Sequence, residues 1–127
     1  MAIKYKVIQK SQPGVTGGGK KKFYASIVTD DEATVDDLAK DIEKFSALSE
    51  PDIYGVIIAL ENAIRNRLAN SQKVRLQKLG TFYPALSSEG KDTEEEVDAH
   101  AIRSVSVNYR PGDRIAASLK EAGFKKV

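Results

Sequence analysis

The chain has no cysteine, which excludes disulfides and thiolate metal sites and makes an intracellular protein the natural expectation. No apolar run approaches the length of a membrane span or a signal-peptide core, and the opening Met1-Ala2-Ile3-Lys4-Tyr5 is too polar for export. A cytoplasmic protein follows, with no membrane partner. His100 is the only histidine, so no zinc-ligand set can be assembled from histidine and cysteine. His100 and its acidic neighbours read as a solvated charge run. Serines are plentiful, but none lies in a nucleophile elbow, and no carboxylate pair sits in an apolar setting. The composition therefore points away from an enzyme, and no cofactor, metal or small-molecule substrate is expected. The glycine-rich stretch Gly17-Gly18-Gly19 runs into Lys20-Lys21-Lys22, yet the P-loop spacing is missing because Phe23-Tyr24 continues as strand. It reads as a flexible basic hairpin tip.

Strong charge segregation is present behind a net charge of only +2. Residues 1–28 hold six lysines and no acid, whereas residues 29–52 hold nine acids against Lys40 and Lys44. Residues 53–83 are basic again, 84–102 acidic, and 103–127 basic. Such blocks can fold into separate faces of opposite sign, and faces select partners.

At 127 residues the chain is one modest domain, or a small subunit that completes its core by dimerising. Residues 3–9 and 22–28 read as strands, giving an N-terminal hairpin over residues 1–30. Thr34 is a helix N-cap, with Asp37 at the capping-box position, and predicts a helix over about 34–45. Ser49-Glu50-Pro51-Asp52 starts a second helix over about 50–69. Its apolar set Ile53, Val56, Ile57, Leu60 and Ile64 is broadened by Ile58 and Ala59. Few other elements are available to cover so wide a stripe, so a second copy of the chain is the expected cover.

Two alternating stretches carry most of the functional information. In Val74-Arg75-Leu76-Gln77 and in Val105-Ser106-Val107-Asn108-Tyr109-Arg110, apolar and polar residues alternate with the strand period of two. Strands of about 72–86 and 102–110 result, with Leu79-Gly80 as a bulge or turn and Pro84 interrupting the ladder. Phe82 and Tyr109 fall among the core positions, and Phe124 is also read as packing. Arg75 and Arg110 share the polar parity, which makes them the leading phosphate candidates, although the same pattern also describes an ordinary solvated face. Lys78, Arg103, Arg114 and Lys120 are weaker candidates, and Lys20, Lys21 and Lys22 supply the hairpin tip. Residues 87–101 have almost nothing to bury and are expected to form an exposed arm or loop. A last helix over about 112–122 stops at Gly123.

Helical hairpin, a strand with Lys78-Leu79-Gly80-Thr81-Phe82, an arm, a strand ending Tyr109-Arg110-Pro111-Gly112 and a closing helix form a familiar order. In it, residues 34–124, within a domain of residues 31–127, resemble the HU and integration host factor family of bacterial histone-like DNA-binding proteins. The extra hairpin opening Ile3-Lys4-Tyr5-Lys6-Val7 resembles the HU-related branch typical of Bacteroidales and relatives. The resemblance implies an α+β, IHF-like DNA-binding fold with a helical-hairpin base, an antiparallel sheet with a projecting β-arm and a C-terminal helix. It also implies an intertwined homodimer whose core includes Ile53, Val56, Ile57, Leu60, Ile64, Phe82 and Tyr109. Double-stranded DNA would be the partner, gripped through its phosphates and minor groove with little sequence selectivity, as expected of an architectural protein of the nucleoid. Three departures stand out. Residues 87–101 lack the arm proline and carry excess acid. Asp113 follows the glycine where the family often has a basic residue. The basic N-terminal hairpin has no counterpart in the plain family. DNA contact is therefore expected on the sheet face and the lysine-rich hairpin. The alternative is a dimeric protein–protein interaction module on the same scaffold, with little or no DNA binding.

Overall fold

The computed structural model describes residues 1–127 as an α+β architecture of three α-helices and six strands in two sheets. It divides into two compact units, residues 1–33 with 117–127 and residues 34–116.

In the first unit, β1 (Ile3–Lys10) pairs antiparallel with β2 (Lys22–Ile27) and parallel with β6 (Phe124–Lys126), giving the order β2-β1-β6. The hairpin read from the sequence is thus two-thirds of a sheet. The third strand was not anticipated, because three residues after a helix stop carry no periodicity to read. It is made possible by Gly123, whose φ of 74° ends the preceding helix and turns the chain, while its carbonyl accepts from Ile3 N–H at 2.9 Å. Alternation and register give the sheet two unlike faces. One carries Ile3, Tyr5, Val7, Phe23, Ala25, Ile27 and Phe124, with Gln9 and Lys126 at its margins. The other carries Lys4, Lys6, Ile8, Lys10, Lys22, Tyr24, Ser26 and Lys125. Phe124, expected to pack, is 76% exposed on the apolar face.

The second unit begins with α1 (Val35–Glu43), whose capping box is complete: Asp37 N–H donates to Thr34 Oγ1 and Thr34 N–H donates to Asp37 Oδ2. The helix stops before Phe45, which is left 88% exposed. Ser49 caps α2 (Glu50–Ala69), with Pro51 in its first turn where a missing N–H costs nothing. Its end is a Schellman arrangement, in which Ser71 and Gln72 N–H groups donate to the Leu68 and Arg67 carbonyls. Ser71 occupies the left-handed position usually given to glycine, at a φ of 63°. Ala39 of α1 and Ile53 of α2 are buried within the single chain.

The sheet of this unit has the order β3-β4-β5, from β3 (Val74–Arg75), β4 (Gly80–Ser88) and β5 (Ile102–Pro111). The expected continuous first strand is corrected here. After Arg75 the backbone leaves the sheet for a 3-10 turn at Gln77–Leu79, with Gln77 at a φ of 53°, and β4 folds back antiparallel on β3. Pro84 does not interrupt the ladder; it lies opposite Val107 inside β4. β3 covers β4 only at Thr81 and Phe82, so Pro84 sits on a free edge, where its missing donor goes unused. Past β3 the β4–β5 pair continues alone as a two-stranded ribbon to Ser88 and Ile102. Residues 89–101 are exposed except for Ala101, as expected of an arm or loop, but they have local structure. They hold 3-10 turns at Glu94–Glu96 and Ala99–Ala101, and close on themselves as Glu89 N–H donates to the Ala101 carbonyl at 2.8 Å. Ala101 is 1% exposed, small enough to be covered by so short a turn. The chain then enters α3 (Asp113–Ala122), which runs into the first unit.

Candidate nucleic-acid interface

The motifs Leu79-Gly80-Thr81-Phe82 and Tyr109-Arg110-Pro111-Gly112 meet face to face and hold one another in place. Gly80, buried at a φ of 132°, lies so close to the Arg110 carbonyl and the Tyr109 ring that a Cβ would collide with both. A Cβ on Gly112 would strike the Lys78 carbonyl. Two glycines are thus needed because two backbones touch. The Gly112 N–H donates to the Leu79 carbonyl at 3.3 Å, and Tyr109 Oη donates to the same carbonyl at 2.6 Å. The Phe82 and Tyr109 rings, directly opposite in register, lie 5.2 Å apart at 38°. This clamp fixes the register of everything that follows along the ribbon.

From that register the two arginines fall into place. Arg75 is opposite Thr81, and Thr81 is opposite Arg110, so the three form one cross-strand row. The neighbouring row on the other face is Val74–Phe82–Tyr109. Arg75 and Arg110 therefore emerge from the same polar face with two strand spacings between their backbones, about 10 Å. Neither guanidinium has a carboxylate partner, and both residues are exposed. Along the ribbon the same face continues with Tyr83 and Asn108, Ala85 and Ser106, and Ser87 and Ser104, with no acid among them. Such a face can receive phosphates at the arginines and sugar or phosphate oxygens at the hydroxyls and amide.

The other candidates are dispersed. Lys78 lies in the 3-10 turn beside the row. Arg103 is at the far end of the ribbon: Ser87 and Ser88 pair with Ser104 and Ile102, so Arg103 is the extra residue of a bulge. Arg114 is in the first turn of α3, and Lys120 lies in the part of α3 that belongs to the first unit. In that unit Lys20 and Lys21 are exposed in the loop, while Lys22 opens β2 directly opposite Lys10. Sequence reading missed Lys6, Lys10 and Lys125. The alternation of β1 hinted at the first two, but nothing local placed Lys22 and Lys125 beside them.

Among the expected dimer residues, Ile53 is already covered within one chain at 3% exposure. Val56 at 59%, Leu60 at 41% and Tyr109 at 45% are not. Between α2 and the sheet lies an open apolar groove of about 380 Å³, lined by Ile57, Leu60, Ile64, Leu68, Leu79, Phe82 and Val107. No group of histidine and carboxylate side chains is placed to hold a metal ion, and no helix is long and apolar enough to cross a membrane.

No curated protein matches the chain. Among solved structures, the chain is similar to a protein from Bacteroides vulgatus described as a candidate bacterial DNA-binding protein, at a TM-score of 0.67 and 15% identity. The likeness covers 100% of this chain and 49% of that one, so this chain spans about half the length of that neighbour. At so low an identity the likeness speaks for the fold, and it agrees with the IHF-like arrangement of hairpin, ribbon and closing helix. A family model for HU domains fused to wHTH, Ig or glycine-rich motifs matches residues 1–126, and the chain belongs to that family.

Proposed function

We propose that this protein binds double-stranded DNA with little sequence selectivity, as a non-enzymatic homodimer that shapes or compacts the duplex in the nucleoid. The observation that carries the reading is the Arg75–Thr81–Arg110 row on an acid-free sheet face, back to back with the Phe82–Tyr109 clamp. An unpaired arginine pair, spaced by the register of one cross-strand row on a polar face, suits phosphate contact and groove shape more than base-specific readout. The description of the Bacteroides neighbour as a DNA-binding protein supports the same reading. Lys78, Arg103 and Arg114 would extend the contact, with Lys120 and the Lys20-Lys21-Lys22 tip supplying more charge.

The homodimer is supported by the surface the chain leaves uncovered. One chain exposes 10777 Å². A compact protein of its mass would expose about 6700 Å², and two independent units of these sizes about 8000 Å². The difference is the size of an obligate interface, and the exposed Val56, Leu60, Val105 and Val107 give it apolar character.

The test is fluorescence anisotropy of a labelled duplex across a salt titration. Binding should weaken steeply with salt. Arg75→Ala with Arg110→Ala should weaken it at least tenfold, and should flatten the log–log slope by roughly three to four if all four arginines of the dimer neutralise phosphate. Absence of binding at low ionic strength removes the proposal. The second reading, a dimeric protein-interaction module, is favoured by one observation: the ribbon tip at residues 89–101 is acidic rather than basic. It predicts that duplex binding is absent while the dimer persists.

A further inference from the structure

The N-terminal sheet presents a face whose charge has no internal explanation. Lys4, Lys6, Lys10, Lys22 and Lys125 all point from it, and no aspartate or glutamate occupies any strand position on that side. Only Lys4 is neutralised, by Asp30 at 2.6 Å. Lys10 stands directly opposite Lys22 in the antiparallel register, an arrangement that is destabilising in a free sheet. Lys10 Nζ also lies 4.9 Å above the Tyr24 ring, which holds one ammonium group over the face instead of letting it drift outward. An ordinary solvated sheet face mixes signs or uses threonine and serine. A face that sets like charges across from each other is suited to an anion that bridges them.

We propose that this lysine face is a second surface for the phosphate backbone of duplex DNA, additional to the arginine row; the proposal rests on the DNA-binding reading. Alternate lysines along β1 are spaced about 7 Å apart and neighbouring strands about 4.8 Å. That footprint lies under several phosphates of a duplex bearing one charge per roughly 1.7 Å of axis. An anionic membrane is the competing polyanion. Membrane-surface binding calls for insertable apolar groups beside the lysines, and the sheet puts its exposed apolar residues, Phe23, Ile27 and Phe124, on the opposite side.

The experiment uses the full chain, a labelled duplex and a salt titration, with the quadruple variant Lys6→Gln, Lys10→Gln, Lys22→Gln and Lys125→Gln. Its affinity at ~100 mM salt should fall at least tenfold, with the salt slope reduced by roughly three to four per chain if all four lysines neutralise phosphate. The companion Arg75→Ala, Arg110→Ala protein separates the two ideas. If that variant is weakened but the lysine variant keeps the wild-type slope, the lysine face is not a DNA surface and the arginine reading stands. If wild type binds no duplex at all, both fall together. Sedimentation with phosphatidylserine-containing vesicles adds the other arm: loss of vesicle binding in the lysine variant, with duplex binding intact, overturns the proposal in favour of a membrane. Thermal melting of Lys22→Gln alone should show no loss of stability, since one member of an opposed pair is removed. A lower melting temperature would make the lysines structural and overturn the proposal.

Discussion

Gly80 shows how much one residue can fix. Its backbone lies against the Arg110 carbonyl and the Tyr109 ring, so the closeness of the two motifs depends on the absence of a side chain. Its positive φ adds a second reason, because an L-residue is strained there. Gly80→Ala should cost on the order of 2 kcal/mol or more, through collision with backbone that cannot yield. A denaturant melt would measure it, and a variant as stable as wild type would contradict the clamp. Loss of DNA affinity should follow as the Arg75–Thr81–Arg110 row loses its register. Both glycines of the clamp were visible in the sequence as motif residues, and the resemblance to HU proteins pointed at them. That they oppose each other follows only from the pairing of β4 with β5.

At the scale of elements, the start of α1 was legible because its chemistry is local. Thr34 and Asp37 are three residues apart, and both halves of the capping box form. The Thr34 backbone N–H, and then its hydroxyl, hold the Asp37 carboxyl below its ordinary value. A carboxylate depressed in the folded state stabilises above its unfolded pKa, and that contribution is lost as pH falls through the folded one. Helix α1 should therefore weaken on acidification through and below the usual carboxylate range. Asp37→Asn should flatten that part of the stability–pH curve while leaving its neutral-to-alkaline part parallel to wild type. Circular dichroism melts at stepped pH would reveal it, and an unchanged acid limb would refute the assignment. β6 was illegible for the opposite reason: a strand of three residues has no period to detect, and it exists only because β1, far away in the chain, supplies its hydrogen bonds. Val74–Arg75 was read as strand from its alternation, but the turn that separates β3 from β4 and folds one back on the other was not.

For the whole molecule the decisive quantity is uncovered apolar surface. Only Ala39, Ile53 and Ala101 form a buried apolar core in one chain, which is too little to offset the entropy of ordering 127 residues. Folding and association should therefore be one event. The melting temperature should rise with protein concentration, and Leu60→Asp, on the exposed stripe of α2, should unfold the chain or leave it unable to associate. Sedimentation equilibrium together with melts over a hundredfold range of concentration would check this. A monomer whose melting temperature does not move with concentration would sink the dimer.

Composition and local pattern sufficed for the absence of cysteine chemistry, the two capped helices, the alternation that gives each strand two unlike faces, and the blocks of charge. Each depends on neighbours within a few residues, where backbone sterics and capping bonds act. Only the tertiary structure decided that Arg75 and Arg110 share one row, and that Lys10 faces Lys22 while Lys125 joins them from the other end of the chain. Those outcomes depend on strand register, which is set by long-range hydrogen bonding and by close backbone approach at two glycines, and no local window contains both partners.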